Sequence, residues 1–170
     1  MRTLDWYFDF VSPFSYFCLH RFKELPEDIS IVYRPVLFAG LLKHWGQKGP
    51  AEIPAKRRWT YRWCTWSARE LDLTFRFPEQ HPFNPLPHLR LALACSSHPD
   101  AVKRIFDWIW MTGENATGPD RFAKLCATLA NQFDQPYGLF GALEISPGEK
   151  PRVNFIDERQ GSSHHLDVHQ

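Results

Sequence analysis

Every second residue near the start of the chain is hydrophobic: Leu4, Trp6, Phe8 and Phe10. This period of two predicts a β-strand. Ser12 and Pro13 follow, and because serine is a preferred N-cap and proline suits the first helical position, the sequence predicts a helix over residues 13–25. A second strand over residues 29–37 completes a β-α-β unit, in which the two strands should be parallel.

Beyond residue 38 the hydrophobic spacing becomes helical. The predicted helices are a short one at 40–45, a long one at 52–71, and three more at 88–96, from residue 99 onward and around 122–129. Four prolines between residues 78 and 87 predict a stiff connector within this block. A helical block joined to a β-α-β start predicts an α/β protein of one domain, or of one domain with an insertion.

The hydrophobic pattern weakens after about residue 135. Residues 138–145 and 152–156 are candidate strands on either side of a turn at Pro147 and Gly148, and residues 158–170 are polar and predicted to be disordered. The predicted divisions are therefore a β-α-β unit over 1–38, a helical block over 39–134, a candidate β-hairpin over 135–157 and a tail over 158–170.

Charge and hydropathy exclude several classes of partner. Twenty basic and 19 acidic residues give a formal net charge of +1, which gives no sign of a nucleic-acid partner. No stretch is long and apolar enough to span a bilayer, so we expect no membrane partner. Residues 1–10 lack the apolar core and small-residue cleavage site of a signal peptide, so the expected location is the cytoplasm, with an organelle reached by another kind of signal as the alternative.

The four cysteines are widely spaced and form no C-x-x-C pair: Cys18, Cys64, Cys95 and Cys126. This spacing argues against a dithiol redox centre and against a zinc site. We expect all four to be free thiols buried on helices, since cysteine often packs as a small hydrophobic residue. No metal is expected in the site.

The junction of the first strand and helix, residues 9–16, carries chemistry. A helix N-terminus has unpaired N–H groups and a partial positive charge, so it attracts an anion. The position that often holds a reactive thiol is Ser12 here, so the thiol must come from elsewhere, and glutathione is the obvious source. A charge-assisted hydrogen bond would stabilise a thiolate by about 1.5–3 kcal/mol, and the helix terminus would add about 0.3–1 kcal/mol. Together they would lower a thiol pKa by about two units. Alternatively, Ser12 does no more than cap the helix.

Three segments are similar to 2-hydroxychromene-2-carboxylate isomerases and kappa-class glutathione transferases, which belong to the DsbA-like thioredoxin superfamily. These are DWYFDFVSPFSYF near the start, Pro35–Trp59 and His81–Ala94. Their spacing matches over about residues 3–130. The resemblance implies a thioredoxin-like fold with an inserted all-helical domain, and a C-terminal ββα part that is atypical or incomplete in this chain.

The resemblance also implies particular site residues. Ser12 would contact the glutathione sulfur, Gln47 the glutathione backbone and Lys56 its carboxylate end, while Asn84 would shape the pocket of the second substrate. Each residue also has an alternative interpretation without a ligand, because polar residues are commonly exposed whether or not they bind anything. Gln47 would then be a loop residue, Lys56 a solvated charge and Asn84 a turn residue. A row of tryptophans at 59, 63 and 66 is more often core than ligand platform, although it could wall an aromatic substrate site.

The implied reaction is a glutathione-dependent isomerisation of 2-hydroxychromene-2-carboxylate or a similar aromatic catabolite. It proceeds by thiolate addition, bond rotation and elimination, with a small aromatic substrate as the partner. A kappa-class-like transferase and a weakly active or inactive relative remain alternatives, and a homodimer stays open. A disulfide oxidoreductase is disfavoured because no second cysteine accompanies Ser12 and Pro13.

The resemblance breaks off after about residue 137. Relatives have a cis-proline in the first strand of the C-terminal hairpin, whereas this chain has Leu143 near that position. Two explanations stay open, a diverged hairpin and a change of reading frame near Gly141, and the abrupt break favours the frame change. Without these contacts we expect glutathione to bind weakly.

Overall fold

The computed structural model describes residues 1–133 of the 170-residue chain. Strand β1 (Arg2–Phe8) pairs in parallel with β2 (Ile29–Pro35), and Trp6 lies opposite Tyr33. Helix α1 (Pro13–Arg21) and a short 3-10 turn join the two strands, so the predicted β-α-β unit is confirmed. The candidate hairpin at 135–157, Leu143 and the predicted tail all lie outside the described residues.

Five helices follow β2: α2 (Phe38–His44), α3 (Pro54–Glu70), α4 (Leu86–Ala94), α5 (Pro99–Trp110) and α6 (Pro119–Gln132). Each matches a predicted helix to within a few residues. Three of them start at a proline, which has no N–H to leave unpaired and a φ angle already suited to a helix. The α/β class is therefore confirmed.

The core lies between α5 and the carboxyl end of β1. The predicted hydrophobic stripe of α5 is fully buried and includes Phe106 and Trp110. The Phe106 ring lies 5.7 Å from the ring of Phe8 and 4.6 Å from that of Phe10, measured between centroids. These contacts fix the end of β1, and hence the residues that follow it, against a rigid helix.

Burial increases along the face of β1 that carries Leu4, Trp6 and Phe8. The side chain of Leu4 is 47% exposed, whereas that of Phe8 is 1% exposed. Phe10 is also buried but lies beyond the end of the strand. The reason is the position of α5, whose Phe106 contacts the rings of Trp6, Phe8 and Phe10.

The tryptophan row of α3 is not core, contrary to the favoured interpretation. Trp59 is 63% exposed and Trp66 is 57% exposed, and only Trp63 is half-buried. The face of α3 that packs inward consists of smaller residues, Thr60, Cys64, Ser67 and Ala68. Small side chains let a helix approach its neighbours closely, so they take the buried face although tryptophan is more apolar.

Three of the four cysteines are buried, and Cys18 is exposed, which corrects the expectation for that residue. All four are free thiols. Within residues 1–133, no helix combines the length and hydrophobicity needed to cross a membrane. The same residues contain no group of histidine, cysteine, aspartate and glutamate side chains suited to a metal ion.

Candidate functional site

Ser12 is the N-cap of α1, as predicted. The chain leaves β1 at Phe8, turns through residues 9–12 and enters the helix at Pro13. The Ser12 backbone is extended, with φ −92° and ψ 113°, and its Oγ accepts a hydrogen bond from the Ser15 N–H at 3.3 Å. We call residues 9–12 the Ser12 turn.

Capping leaves the Ser12 hydroxyl with an unused donor. A hydroxyl has one hydrogen to donate and two lone pairs, and the cap uses only a lone pair. Among the described residues nothing accepts from Ser12 Oγ, and nothing accepts from the backbone N–H of Phe14. Two donors therefore meet at the positive end of α1, an arrangement that can bind an anion. Capping and anion binding are compatible roles for this side chain.

Asp9 ties the Ser12 turn to the start of α2. Its carboxylate accepts from the Val11 N–H at 3.2 Å and from the Phe38 N–H, at the first residue of α2, at 2.8 Å. The side chain is almost fully buried. Burial raises the pKa of Asp9 to about 6, although the hydrogen bonds from Phe38 and Val11 act in the opposite direction. The carboxylate thus holds the turn at some cost in stability near neutral pH.

The backbone of the turn is held from distant parts of the chain. Trp110 in α5 donates its indole N–H to the Phe10 carbonyl at 3.1 Å. His81 lies 2.9 Å from the Val11 carbonyl through Nε2. The Ser12 N–H donates to the Asp9 carbonyl at 3.1 Å. Each peptide group before Ser12 therefore has a fixed partner, and the position of the serine follows from these bonds.

Gln47 follows a well-formed end to α2. Gly46 has φ +61°, and the N–H groups of Gly46 and Gln47 donate to the carbonyls of Lys43 and Leu42 at 3.2 and 2.8 Å. This is the Schellman arrangement, in which a left-handed glycine ends the helix. The Gln47 backbone is thus fixed, whereas its exposed side chain bonds to no described residue. The structure shows no contact between Gln47 and Ser12.

Lys56 and Asn84 are both exposed. Lys56 lies in the first turn of α3 and forms no ion pair with a described residue. Asn84 accepts from the Leu86 N–H at 3.1 Å, so its oxygen stabilises the turn into α4, which is the plain alternative given above. Neither side chain forms a hydrogen bond with Ser12, and their assignment to the site remains a prediction.

Aromatic rings connect α3 to the start of α1. The ring of Phe14, in the first turn of α1, lies 5.1 Å from that of Trp63. Trp63 in turn stacks with Trp59 at 6.2 Å, with an interplanar angle of 20°. Phe14, Trp59 and Trp63 form what we call the aromatic ledge. Its exposed rings begin two residues after Ser12, so a planar apolar group could lie beside the turn.

Comparison with known families decides where this arrangement belongs. A DSBA-like thioredoxin domain matches residues 3–135, which is most of the chain. The chain belongs to the DsbA-like thioredoxin family. A solved structure of 2-hydroxychromene-2-carboxylate isomerase has the same fold, with a TM-score of 0.66 and 19% identity, over 83% of this chain and 70% of that one.

Two curated relatives of this DsbA-like protein are glutathione S-transferases kappa 1. The human enzyme is 23% identical over 151 residues, which are 81% of this chain and 66% of that protein. The enzyme from Caenorhabditis elegans is 34% identical over 59 residues, 33% of this chain and 26% of that protein. The chain therefore spans only part of the length of the curated relatives that it matches.

For this DsbA-like protein, sequence reasoning missed His81 and Trp110 as residues of the site, and it included Asp9 only as part of residues 9–16, without a role. Asp9 and His81 both stood in segments that resemble relatives, but the resemblance assigned them no role. The signal for Asp9 was an acid placed where a strand ends among aromatic residues. The bond from Trp110 to Phe10 spans 100 positions, and no local pattern marks such a pair.

Proposed function

We propose that this chain is a glutathione-dependent isomerase that acts on 2-hydroxychromene-2-carboxylate or a similar aromatic catabolite. The observation that carries the proposal is the end of the Ser12 turn. There the Ser12 O–H and the Phe14 N–H, neither of which has an acceptor within residues 1–133, meet at the positive end of α1. The likeness in fold to an isomerase and in sequence to kappa-class transferases supports glutathione as the ligand.

The two hydrogen-bond donors at the start of α1 suit a thiolate that belongs to a bound ligand. The first turn of α1 has a serine where a protein thiol would stand. Burial raises the pKa of Cys64 to about 12 and that of Cys126 to about 11, so these thiols stay protonated at neutral pH. Glutathione, when bound, supplies a thiolate that adds to a conjugated carbon, so that rotation and elimination can complete the isomerisation.

The role of Ser12 in this proposal is to donate its hydroxyl hydrogen to the sulfur. Because a hydrogen bond to the charged form favours that form, the pKa of the bound thiol falls. With the helix terminus the shift reaches about two units, from about 8.5 towards 6.5. Ser12 is not itself the nucleophile, since its proton stays on the hydroxyl.

The remaining site residues are proposed for binding. Gln47 would hold the peptide backbone of glutathione, and Lys56 would hold a carboxylate, helped by the other basic residues on the exposed face of α3. The Asn84 oxygen is already used, but its amide hydrogens remain available to a substrate oxygen. The aromatic ledge would cover one face of the aromatic substrate.

A kappa-class-like transferase is the second candidate, and the similarity to two kappa 1 enzymes favours it. The Ser12 turn serves both activities equally, because each needs an ionised glutathione sulfur. The two differ in whether glutathione is released unchanged or remains in the product.

The test combines binding and turnover on the full-length chain. We expect calorimetric titration to show saturable glutathione binding and S-methylglutathione to bind more weakly, because a thioether cannot carry the charge that Ser12 stabilises. Isomerisation of 2-hydroxychromene-2-carboxylate with no net consumption of glutathione would support the isomerase, and formation of a conjugate the transferase. Absence of glutathione binding at millimolar concentration would contradict the proposal and leave an inactive relative.

A further inference from the structure

His81 connects the segment between α3 and α4 to the Ser12 turn, 70 positions away along the chain. Its Nε2 lies 2.9 Å from the Val11 carbonyl oxygen. A carbonyl can only accept, so Nε2 must carry the hydrogen and donate. In the neutral ring, Nδ1 is then bare and accepts at 2.6 Å from the Tyr61 hydroxyl, whose one hydrogen is shared with the His81 carbonyl at 3.0 Å. The two contacts together select one tautomer.

Tyr61 is itself held in place by its surroundings. Its ring stacks with that of Phe77 at 4.1 Å, and the Arg57 guanidinium lies 5.2 Å from its centroid. Arg57 also donates to the His81 carbonyl at 3.1 Å. Burial lowers the pKa of His81 and outweighs the hydrogen bond to Val11, which raises it, and the nearby Arg57 charge acts in the same direction as burial. The imidazole is thus kept neutral and oriented by groups on α3.

The bond to Val11 controls the residue that follows it. The peptide group joining Val11 to Ser12 is planar, so fixing its two ends fixes the whole plane. His81 holds the carbonyl end, and the Asp9 carbonyl accepts from the Ser12 N–H at 3.1 Å at the other end. With this plane fixed, the Ser12 Cα has a defined position. The φ angle of −92° then sets the direction of the Cα–Cβ bond, and the cap to Ser15 locates Oγ.

We propose that His81 is a positioning residue that sets the direction of the Ser12 hydroxyl by holding the Val11 carbonyl, with Tyr61 imposing the tautomer. The proposal rests on the proposed function in so far as the hydroxyl serves a bound thiolate. The segment after α3 thereby influences the chemistry of the site, although His81 need not contact the ligand.

The experiment compares two isosteric variants. In His81→Gln the amide nitrogen can take the place of Nε2 and donate to Val11, whereas in His81→Asn it reaches only the position of Nδ1. The readout is the pKa of the glutathione thiol bound to each protein, followed by ultraviolet thiolate absorbance. We expect His81→Asn to raise this pKa by roughly one unit and His81→Gln to stay within a few tenths of the wild-type value.

A purely structural role would give a different pattern. If both variants lost the same amount of thermal stability and left the thiol pKa unchanged, the inference would be wrong. Tyr61→Phe supplies an independent check, because without the hydroxyl the tautomer preference of His81 should weaken in nitrogen NMR of the ring. An unchanged tautomer population in Tyr61→Phe would overturn the part assigned to Tyr61.

A measurement without glutathione separates this inference from the proposed function. Hydrogen exchange of the Ser12 amide reports the bond to Asp9 directly. If glutathione does not bind but this amide exchanges faster in His81→Asn than in His81→Gln, the positioning role stands and the proposed function fails. Equal exchange in wild type and both variants would overturn the positioning role whatever the ligand does.

Discussion

The two sides of the candidate site are built in opposite ways. The Ser12 turn is held by the carboxylate of Asp9, the indole of Trp110 and the imidazole of His81. On the side of α2 and α3, the side chains of Gln47 and Lys56 are exposed and bond to no described residue. Under the proposed function, the group assigned to the reacting atom is preorganised, while the groups assigned to the rest of the ligand would become ordered with it.

The largest expected effect is on the free energy of unfolding, and it comes from the buried carboxylate of Asp9. An acid whose folded pKa, about 6, lies above its unfolded value of 3.8 binds more protons when folded between these values. The Asp9 contribution therefore destabilises the fold as pH rises from about 4 to 6, by roughly 3 kcal/mol in all. Asp9→Asn removes this titration, so the stability of wild type relative to the variant should fall over that window.

Chemical denaturation of both proteins at several pH values measures this slope. Burial lowers the pKa of His81, and that of His88 to about 4 from 6.5, which makes wild type more stable as pH rises. These terms cancel in the difference from Asp9→Asn. Asp5→Asn, in an exposed pair with Arg34, is the matched control and should change stability by at most about 1 kcal/mol. A flat difference for Asp9→Asn would contradict the burial cost.

Removing the Ser12 hydroxyl should give the next largest effect. Ser12→Ala loses both the donor and the cap. Because the helix terminus remains, we expect the pKa of bound glutathione to rise by about one and a half units, and turnover at neutral pH to fall about tenfold with the thiolate fraction. Thermal unfolding should show a loss of about 1 kcal/mol from the cap.

Ser15→Ala is the control, because Ser15 contributes only its backbone N–H to the cap. It should leave the thiol pKa within a few tenths of wild type. If both serines gave the same shift, the hydroxyl of Ser12 would have no special part in the chemistry.

Sequence patterns predicted what is local and missed what is distant. The Ser12 cap depends on four consecutive positions, and the helix starts at Pro13 and Pro99 depend on the residue itself, so all three could be predicted. The start of α6 at Pro119 was predicted about three residues too late. The bond from His81 to Val11 depends on how the segment after α3 packs, which no short window contains.

The exposure of Trp59 and Trp66 shows the same limit. Their spacing fits a core stripe, but the buried face of a helix also depends on how closely its neighbours approach. In the structure, the smaller Cys64 and Ala68 take the buried face of α3. The hydrophobicity of single residues cannot decide between two such faces.

On the exposed side of the site, a substitution should weaken glutathione binding without changing the thiol pKa, and this effect should be smaller than that of Ser12→Ala. Lys56→Gln removes a charge that the proposal assigns to a glutathione carboxylate, and losing about 1.5 kcal/mol would weaken the Kd about tenfold. The thiol pKa should stay unchanged, because Lys56 acts on the far end of the ligand. Lys48→Gln, another exposed lysine without an ion pair among the described residues, is the control for general electrostatic attraction. Equal weakening in both variants would show attraction without a specific contact.

The smallest change in stability is expected at Trp66, the last residue of the tryptophan row. Trp66 is 57% exposed, and its ring contacts no other aromatic ring of the described residues, so Trp66→Gln should change the free energy of unfolding by no more than about 0.5 kcal/mol. Trp63→Gln, whose ring packs against Phe14 and Phe17, should cost roughly 2 kcal/mol and also disturb the aromatic ledge. Urea denaturation at two protein concentrations measures both. A loss at Trp66 as large as that at Trp63 would show that its ring is covered in solution. If that loss grew with protein concentration, the cover would be a second copy of this chain, and the outer face of α3 would then be an interface between copies instead of the solvated side of a ligand site.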